Sequence, residues 1–454
     1  MGDLICPIRY NNPTLSREID NQQQKSWATY KEKMIEADGR PLAEIDKNDV
    51  DSDGLRFEQV TYSEAVAYVM LRAVWMSDEE TFTKVWSWAQ NNLQRNNPNF
   101  QTWVCTKEDF RAKTCRTWKP WNQLAPEQKA SNPKCDPDNY NDHLFAWRYV
   151  PTLPVNGKPG EKGGILCHES FKGIDRSGYN AASDDVEIAA ALYFASLRNW
   201  GGRKEIYLES AQNILNDAWE KYVVDIGGKY YFMAGDQFSY SGTINSSYFR
   251  PAYFRHVFPE IDPFHPWHKL AEDSYEIINQ SGQLTLSDGK HARNGRGVNL
   301  PSNWLDLSSE GELTDSNMFP GKVGQAFGWD AFRVLYAVAQ DYAWYGDGSA
   351  HAYLTDPNIG PIDFLSRNLK GGTLPSLFNH DGTRLSRQKG DLAFYGAYLP
   401  YFCYAGKGKE AGDIINYLHR SYDDAGFWKQ DRYREKWAHH YYTQNWVWFG
   451  LALA

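Results

Sequence analysis

The sequence lacks several features, and each absence narrows what the protein can do. None of its 454 residues falls in a run approaching the roughly 18 consecutive apolar residues that a bilayer span requires, so no membrane role is expected. Basic side chains are not in excess: 48 Lys and Arg face 57 Asp and Glu. The resulting net charge of −9 argues against nucleic acid, which would call for a basic face, and favours a neutral ligand. There is no Cys-x-x-Cys pair, so no zinc, redox or other cofactor site is expected. No Pro/Gly/Ser-rich linker divides the chain, which reads as one domain over residues 1–454 and as a monomer. The opening Met-Gly-Asp carries no charged-then-apolar signal segment and reads as an expression start on a mature chain.

The six cysteines are spread out. Cys105 and Cys115 lie in a polar, irregular stretch and could bridge in an oxidising compartment. Cys167 and Cys403 have apolar neighbours and read as buried thiols.

Aromatic residues, by contrast, are abundant: 18 Trp, 29 Tyr and 22 Phe. Many must fill a core, but enough remain to line a long cleft. A Trp or Tyr ring covers the apolar C–H face of a sugar while polar groups take its hydroxyls.

Helical periodicity dominates the chain. Nearly all-apolar helices are expected at Glu64–Met76, Asp185–Leu197, Asp330–Trp344 and Tyr441–Leu453, with Ala393–Tyr404 and Pro266–Ile278 also helical. Amphipathic helices are expected at Thr81–Leu93, Glu205–Tyr222 and Gly408–Arg420, and weaker ones near Gln22–Ala37, Tyr248–Phe258 and Ile362–Leu369. Alternation of the two kinds fits concentric layers, with the inner helices shielded on both sides. The fold class expected is therefore all-α, a toroid of helical hairpins. Residues 97–178 and 279–324 are rich in Asn, Pro, Lys and Gly and read as long loops walling the cleft.

Cleaving a glycosidic bond with inversion needs two carboxyl groups, one protonated and one ionised, about 6.5–9.5 Å apart. Acids at the mouths of inner helices are the natural candidates. Glu64 opens one such helix, where an apolar wall would raise its pKa, although a helix-dipole acid would look the same. Asp330 sits similarly, with an N-cap as its plainer role. Asp184 and Asp185 begin a third inner helix.

At these residues a resemblance becomes visible. Ser63-Glu64-Ala65-Val66-Ala67-Tyr68-Val69-Met70 resembles the Ser/Thr-Glu-Gly-Gln block of glycoside hydrolase family 8. Trp329-Asp330-Ala331-Phe332-Arg333-Val334 resembles its Asp-Ala-aromatic-Arg-Val block, and Ser183-Asp184-Asp185-Val186-Glu187 its central Asp block. Phe145-Ala146-Trp147, Ser247-Tyr248-Phe249-Arg250-Pro251-Ala252-Tyr253 and Tyr441-Tyr442-Thr443-Gln444-Asn445 follow in the family's order.

The resemblance implies an (α/α)6 barrel of six inner and six outer helices and inverting hydrolysis of a β-1,4-glycan. It makes Glu64 the proton donor, Asp330 the base and Asp184 (or Ser183, by gapless alignment) the residue holding the distorted sugar. Substrate contacts are expected from Trp147, Tyr248, Arg250, Trp329, Arg333 and Tyr442, with Trp147, Trp329 and Tyr442 stacking on sugar rings. Xylan or xylo-oligosaccharide is the favoured substrate, with β-1,4-glucan or chitosan as alternatives, and a secreted or periplasmic location is implied. Ala65-Val66 depart from the family's Gly-Gln and leave the contacts behind the acid open.

Two further motifs compete for attention. Asp49-Val50-Asp51-Ser52-Asp53-Gly54 matches half a calcium loop, but Val60 stands where the bidentate acid belongs, so a solvated turn is favoured and no metal is assigned. His439-His440 faces two ways on a helix, which favours a lining or structural role over a metal. From other function classes, a polysaccharide lyase would need Tyr441, His440 and Arg250 as base and cation, and a non-catalytic glycan-binding protein would need only the aromatics.

Overall fold

The computed structural model describes residues 6, 9, 11–45, 60–109, 114–153, 155, 156, 158, 160, 162–167, 180–239, 242–284, 298–316, 326–429 and 439–454. The half-calcium-loop motif at 49–54 lies outside them. The barrel helices are α1 (Pro13–Met34), α2 (Ser63–Trp75), α3 (Glu79–Asn92), α4 (Ala182–Leu197), α5 (Lys204–Tyr222), α6 (Pro251–His256), α7 (Trp267–Ser281), α8 (Phe332–Tyr345), α9 (Gly348–Thr355), α10 (Leu392–Tyr404), α11 (Gly408–Arg420) and α12 (Tyr441–Leu453).

The even-numbered helices form the inner ring and the odd-numbered ones the outer. Each inner helix packs on the outer one that follows it, and α12 closes on α1. Around the ring α2 meets α4, α6 meets α8, α8 meets α10, α10 meets α12 and α12 meets α2. The remaining seam, α4 to α6, is joined by the Phe194–Tyr253 ring pair at 6.1 Å and the buried Glu187–Arg250 ion pair. This is the (α/α)6 barrel.

The sequence explains the layering. α4, α10 and α12 are buried almost all round, whereas α11 buries only Ala411, Ile414, Ile415 and Leu418, one stripe at helical spacing. Close approach of α10 to α12 depends on two glycines: a Cβ on Gly450 would lie 1.8 Å from the carbonyl oxygen of Gly396. Inner-helix N-termini gather at one mouth and C-termini at the other. Tyr441 reaches Glu64 at the first mouth, and Trp75 packs on Trp344 at the second.

The long-loop expectation for 97–178 is overturned. That region supplies β2 (Thr102–Asp109), β3 (Thr114–Pro120), β4 (Arg148–Val150) and β5 (Gly164–Cys167), which join β1 (Thr61–Tyr62) in a sheet ordered β1-β4-β5-β2-β3. Backbone pairing overrode the turn-rich composition, and two disulfides, Cys105–Cys115 and Cys135–Cys167, tie the segment together. A hairpin of β6 (Val223–Ile226) and β7 (Lys229–Phe232) follows α5. The second expected loop, 279–324, contains β9 (Leu305–Leu307) and β10 (Leu313–Asp315); β9 pairs with β10 on one side and with β8 (Thr243–Ile244) on the other.

Cys167 and Cys403 are not thiols. Cys403 pairs with Cys6, 397 residues away, and Cys167 with Cys135. Their apolar neighbours are the packing around half-cystines, a distinction that local composition does not make. Among the described residues no helix is long and apolar enough to cross a membrane.

Candidate active site

Strand pairing fixes the height of Glu64. Thr61 and Tyr62 pair with Tyr149 and Arg148, and the Ser63 amide donates to the Trp147 carbonyl at 2.9 Å. The chain then turns directly into α2, which places Glu64 in the first turn at the barrel mouth. Its Oε1 accepts from Tyr68 Oη at 2.7 Å and Arg333 Nη1 at 2.7 Å, and its Oε2 from Tyr441 Oη at 2.6 Å. These three donors exceed what a helix-dipole acid needs.

Asp330 precedes α8 and does not cap it. The N-cap is Ala331, and Asn303 ties down the turn before the helix, its Oδ1 accepting from the amides of Gly328, Asp330 and Ala331 at 3.1, 3.2 and 2.9 Å. The N-cap alternative for Asp330 is thereby excluded, and its carboxylate is left to face the cleft. Oδ1 accepts from Arg333 Nη2 at 2.9 Å and Oδ2 from Trp304 Nε1 at 3.0 Å. The small sheet sets this up, because pairing Ile244 with Leu305 holds Asn245 and Trp304 side by side. Burial raises the Asp330 pKa above the ordinary carboxylate value; Arg333 and Trp304 pull it down, Glu64 pushes it up and Asn245 lowers it.

Arg333 joins the two acids. One nitrogen of its fork binds Glu64 and the other Asp330, so the two carboxylates lie within roughly 8 Å of each other. Its Nε donates to Ser247 Oγ at 3.1 Å, while the Tyr248 and Tyr442 rings flank the guanidinium at 5.1 and 5.9 Å.

Of the two central acids, Asp184 is the one beside Glu64. Its oxygens accept from Ser63 Oγ at 2.5 Å and Ser183 Oγ at 3.0 Å. Burial, and then the charge of Glu64, push its pKa well above the ordinary range. Asp185 turns away, accepting from Tyr222 Oη at 2.5 Å and the Phe145 amide at 2.8 Å. Burial pushes the Asp185 pKa to about 8, against both of those hydrogen bonds.

The other expected residues divide. Trp147 is half-buried against Tyr62 at 4.9 Å, and Tyr62 in turn meets Tyr441 at 5.8 Å. Trp329 is 45% exposed at the mouth, edge-on to Phe394 at 5.0 Å. Tyr442 donates to the Trp329 carbonyl at 3.2 Å, and Tyr248 packs on Trp304 at 6.0 Å. Arg250 is the exception. It pairs with Glu187 at 2.7 Å and donates to the Ser247 and Phe249 carbonyls at 2.6 and 2.9 Å, beneath the mouth and away from Asp330. His439 packs on Phe427 at 4.7 Å, and burial lowers the His440 pKa to about 3.

Reading the sequence missed Tyr68, Asn245, Asn303 and Trp304 as parts of this site, and missed Tyr441 as a donor to Glu64. Tyr68 carried a usable signal, being four residues after Glu64 on one helix face. The others lie far away in the chain and carried none.

A helical toroid with three inner-helix acids gathered at one mouth among aromatic rings is the class of protein this fold and site define. The family model for glycosyl hydrolases family 8 matches residues 13–114 and 167–356, and the chain belongs to that family. Endoglucanase C of Ruminiclostridium cellulolyticum is 31% identical over 184 residues, 40% of this chain and 34% of that protein. The match therefore spans about a third of the length of this curated relative. An endo-β-1,4-glucanase from Acetobacter xylinum aligns with a TM-score of 0.56 at 18% identity, covering 96% of this chain and 98% of that one. A cold-adapted family 8 xylanase in complex with substrate aligns with a TM-score of 0.60 at 17% identity, covering 97% and 92%. At these identities the likeness of the solved structures is one of fold.

Proposed function

We propose that the chain is an inverting glycoside hydrolase of β-1,4-linked glycans, with Glu64 as general acid and Asp330 as general base. The observation that carries this is Arg333, whose fork holds the two carboxylates across one mouth. Family membership supports the reaction class, and the curated relative's printed name, an endoglucanase, supports a glucan or a related glycan.

Glu64 passes its proton to the glycosidic oxygen as the bond to the anomeric carbon breaks. Asp330, ionised, takes a proton from a water that attacks that carbon from the opposite face. The leaving sugar departs as an alcohol and the new hemiacetal has inverted configuration. Two donors, Arg333 and Trp304, oppose the rise that burial imposes on the Asp330 pKa and so favour its ionised form. Asp184, locked by two seryl hydroxyls, lies next to Glu64 and holds the sugar at the cleaved bond. Trp147, Trp329 and Tyr442 supply ring faces for the flanking sugars, with Tyr248 and Arg333 beside them.

Xylan is the first substrate to test, because Ala191-Leu192-Tyr193-Phe194-Ala195-Ser196 and Asp330-Ala331-Phe332-Arg333-Val334 resemble the xylan-active members of the family. β-1,4-Glucan is the second reading, favoured by the endoglucanase relative. A lyase is disfavoured because Tyr441 donates to Glu64 and Arg250 is paired with Glu187. Closure of α12 on α1 supports reading residues 1–454 as one catalytic domain, and three disulfides support export to an oxidising compartment.

The test is reducing-sugar release from xylan, mixed-linkage glucan, carboxymethylcellulose and chitosan, with the first-formed anomer read by proton NMR. Glu64→Gln and Asp330→Asn should each lower the rate by about 10²–10⁴-fold. Release that survives both changes together, retained configuration, or an unsaturated product end would overturn the reading.

A further inference from the structure

The opposite mouth of the barrel is not closed. α2 rises about 1.5 Å per residue, so Trp75, eleven residues past Glu64, lies roughly 16 Å further along the axis. A cavity of ≈ 460 Å³ opens there, among the C-terminal turns of the inner helices. Its walls are aromatic and fixed by mutual packing: Trp75 meets Trp344 edge-on at 6.3 Å, and Trp344 meets Phe194 at 6.0 Å. Trp75 is 37% exposed and Leu197, on the rim, 62%.

The floor is polar. Glu187 and Arg250 form a buried ion pair there, and Gln340 donates to Tyr253 Oη at 3.4 Å. The pair is neutral overall, so the floor does not select a charged ligand. Glu187 Oε2 has no hydrogen-bond partner among the described residues. A purely apolar occupant would cover these groups without offering them a hydrogen bond, which is costly. Ring faces above and hydrogen-bonding groups below suit a neutral, hydroxylated ring. The volume lies in the lower part of the about 300–1,000 Å³ range of ligand cavities, enough for one or two such rings.

We propose that this cavity is a second saccharide-binding site, which takes one or two terminal sugar units of a β-linked glycan on Trp75 and Trp344 and hydrogen-bonds them at the Glu187–Arg250–Gln340 floor. The choice of a β-linked glycan rests on the proposed function; the binding event does not. The same end could belong to a free oligosaccharide or to a polymer chain. Tyr68 forms part of the floor and donates to Glu64 on its other side, so the two sites share one side chain.

Calorimetric titration of Glu64→Gln protein with cellotriose and xylotriose tests this without turnover. Two binding events per chain are expected. Leu197→Trp, an exposed rim substitution that plugs the opening, should weaken one event at least tenfold and leave polymer hydrolysis in the Glu64-intact protein unchanged. Gln340→Leu should weaken the same event by acting on the floor. Retention on immobilised polymer, lost with Leu197→Trp, would assign chain ends as the source; binding of the trisaccharides alone would assign free oligosaccharide. Identical titrations with and without Leu197→Trp, or a Leu197-sensitive event seen with phenol and with neither saccharide, would overturn the proposal. Should no glycan be hydrolysed at all, the Leu197-sensitive event would still decide it.

Discussion

Replacing Arg333 with methionine should move the acid limb of activity to higher pH. The base works only when ionised, so activity is present above the Asp330 pKa and lost as pH falls through it. Burial already raises that pKa, and Arg333 is the largest influence opposing the rise. Breaking a buried ion pair by removing one partner costs about 3–5 kcal/mol. The Asp330 side chain is 28% exposed and that of Glu64 12%, so solvent offsets part of this and about 2–3 kcal/mol is expected across both acids. If about half falls on Asp330, its pKa rises further, and its ionisation equilibrium becomes about tenfold less favourable, at about 1.4 kcal/mol per factor of ten. Below both pKa values kcat/KM then drops a further tenfold relative to the plateau. Methionine keeps the stem between the Tyr248 and Tyr442 rings, so the protein should fold, with Tm lower by a few degrees. Arg333→Lys keeps the charge, but its single ammonium cannot span both acids, and it should give an intermediate shift. A pH profile of kcat/KM checks this. An acid limb that stays put, or moves down, in the methionine variant would refute the reasoning.

Three further outcomes are expected. Asp185 has a folded pKa of about 8 against an ordinary value of 3.8, so the folded state holds the extra proton between them and stability falls as pH rises through that window; Asp185→Asn should flatten the dependence of Tm on pH between about 4 and 8 relative to the parent, and an unchanged slope would contradict it. Replacing Cys6 and Cys403 together by serine frees ends joined across 397 residues and should cost about 2–4 kcal/mol, read by urea unfolding. Trp329→Ala removes a half-exposed ring at the mouth and should raise KM roughly tenfold with Tm unchanged, whereas a kcat loss at constant KM would reassign the ring.

The inner helices were legible because being shielded on both sides leaves a plain mark: α4, α10 and α12 have almost no polar face, and amphipathic segments separate them. The acids were legible for a related reason. A carboxylate at the start of an apolar helix must either cap it or do something else, and Asp330 does not cap: Ala331 is the N-cap, and the turn before it is held by Asn303, 27 residues before Asp330. What stayed hidden is whatever depends on pairing between distant segments. β1 and β8 are two residues each, too short for alternation to register, yet the first sets the height of Glu64 and the second brings Asn245 beside Trp304. Arg250 was misplaced for the same reason. Its partner Glu187 sits in the central block as an apparently ordinary helical acid, and only the fold shows the two meeting below the mouth.

That last misplacement bears on how the barrel is built. Glu187 follows Asp184 by three residues and so lies about one turn deeper on the same face of α4. Four acids are thus stacked along the axis, with Asp330 at the rim, Glu64 and Asp184 beneath it, and Glu187 lower still. Two arginines lie among them, Arg333 binding Asp330 and Glu64, and Arg250 binding Glu187. Such alternation of charge lets a narrow apolar tube hold Asp330, Glu64 and Glu187 as charged groups, since each buried charge needs a partner close by, while Asp184, held by two seryl hydroxyls, has its pKa pushed well up instead. It also predicts an order of sensitivity. Arg250→Met should destabilise more than Arg333→Met, because Glu187 is buried while Asp330 is partly open to water. Yet it should leave the acid limb of the pH profile where it is, because Arg250 does not touch Asp330. A larger acid-limb shift from Arg250→Met than from Arg333→Met would mean that the base is held from below, and the roles given to the two arginines would have to be exchanged.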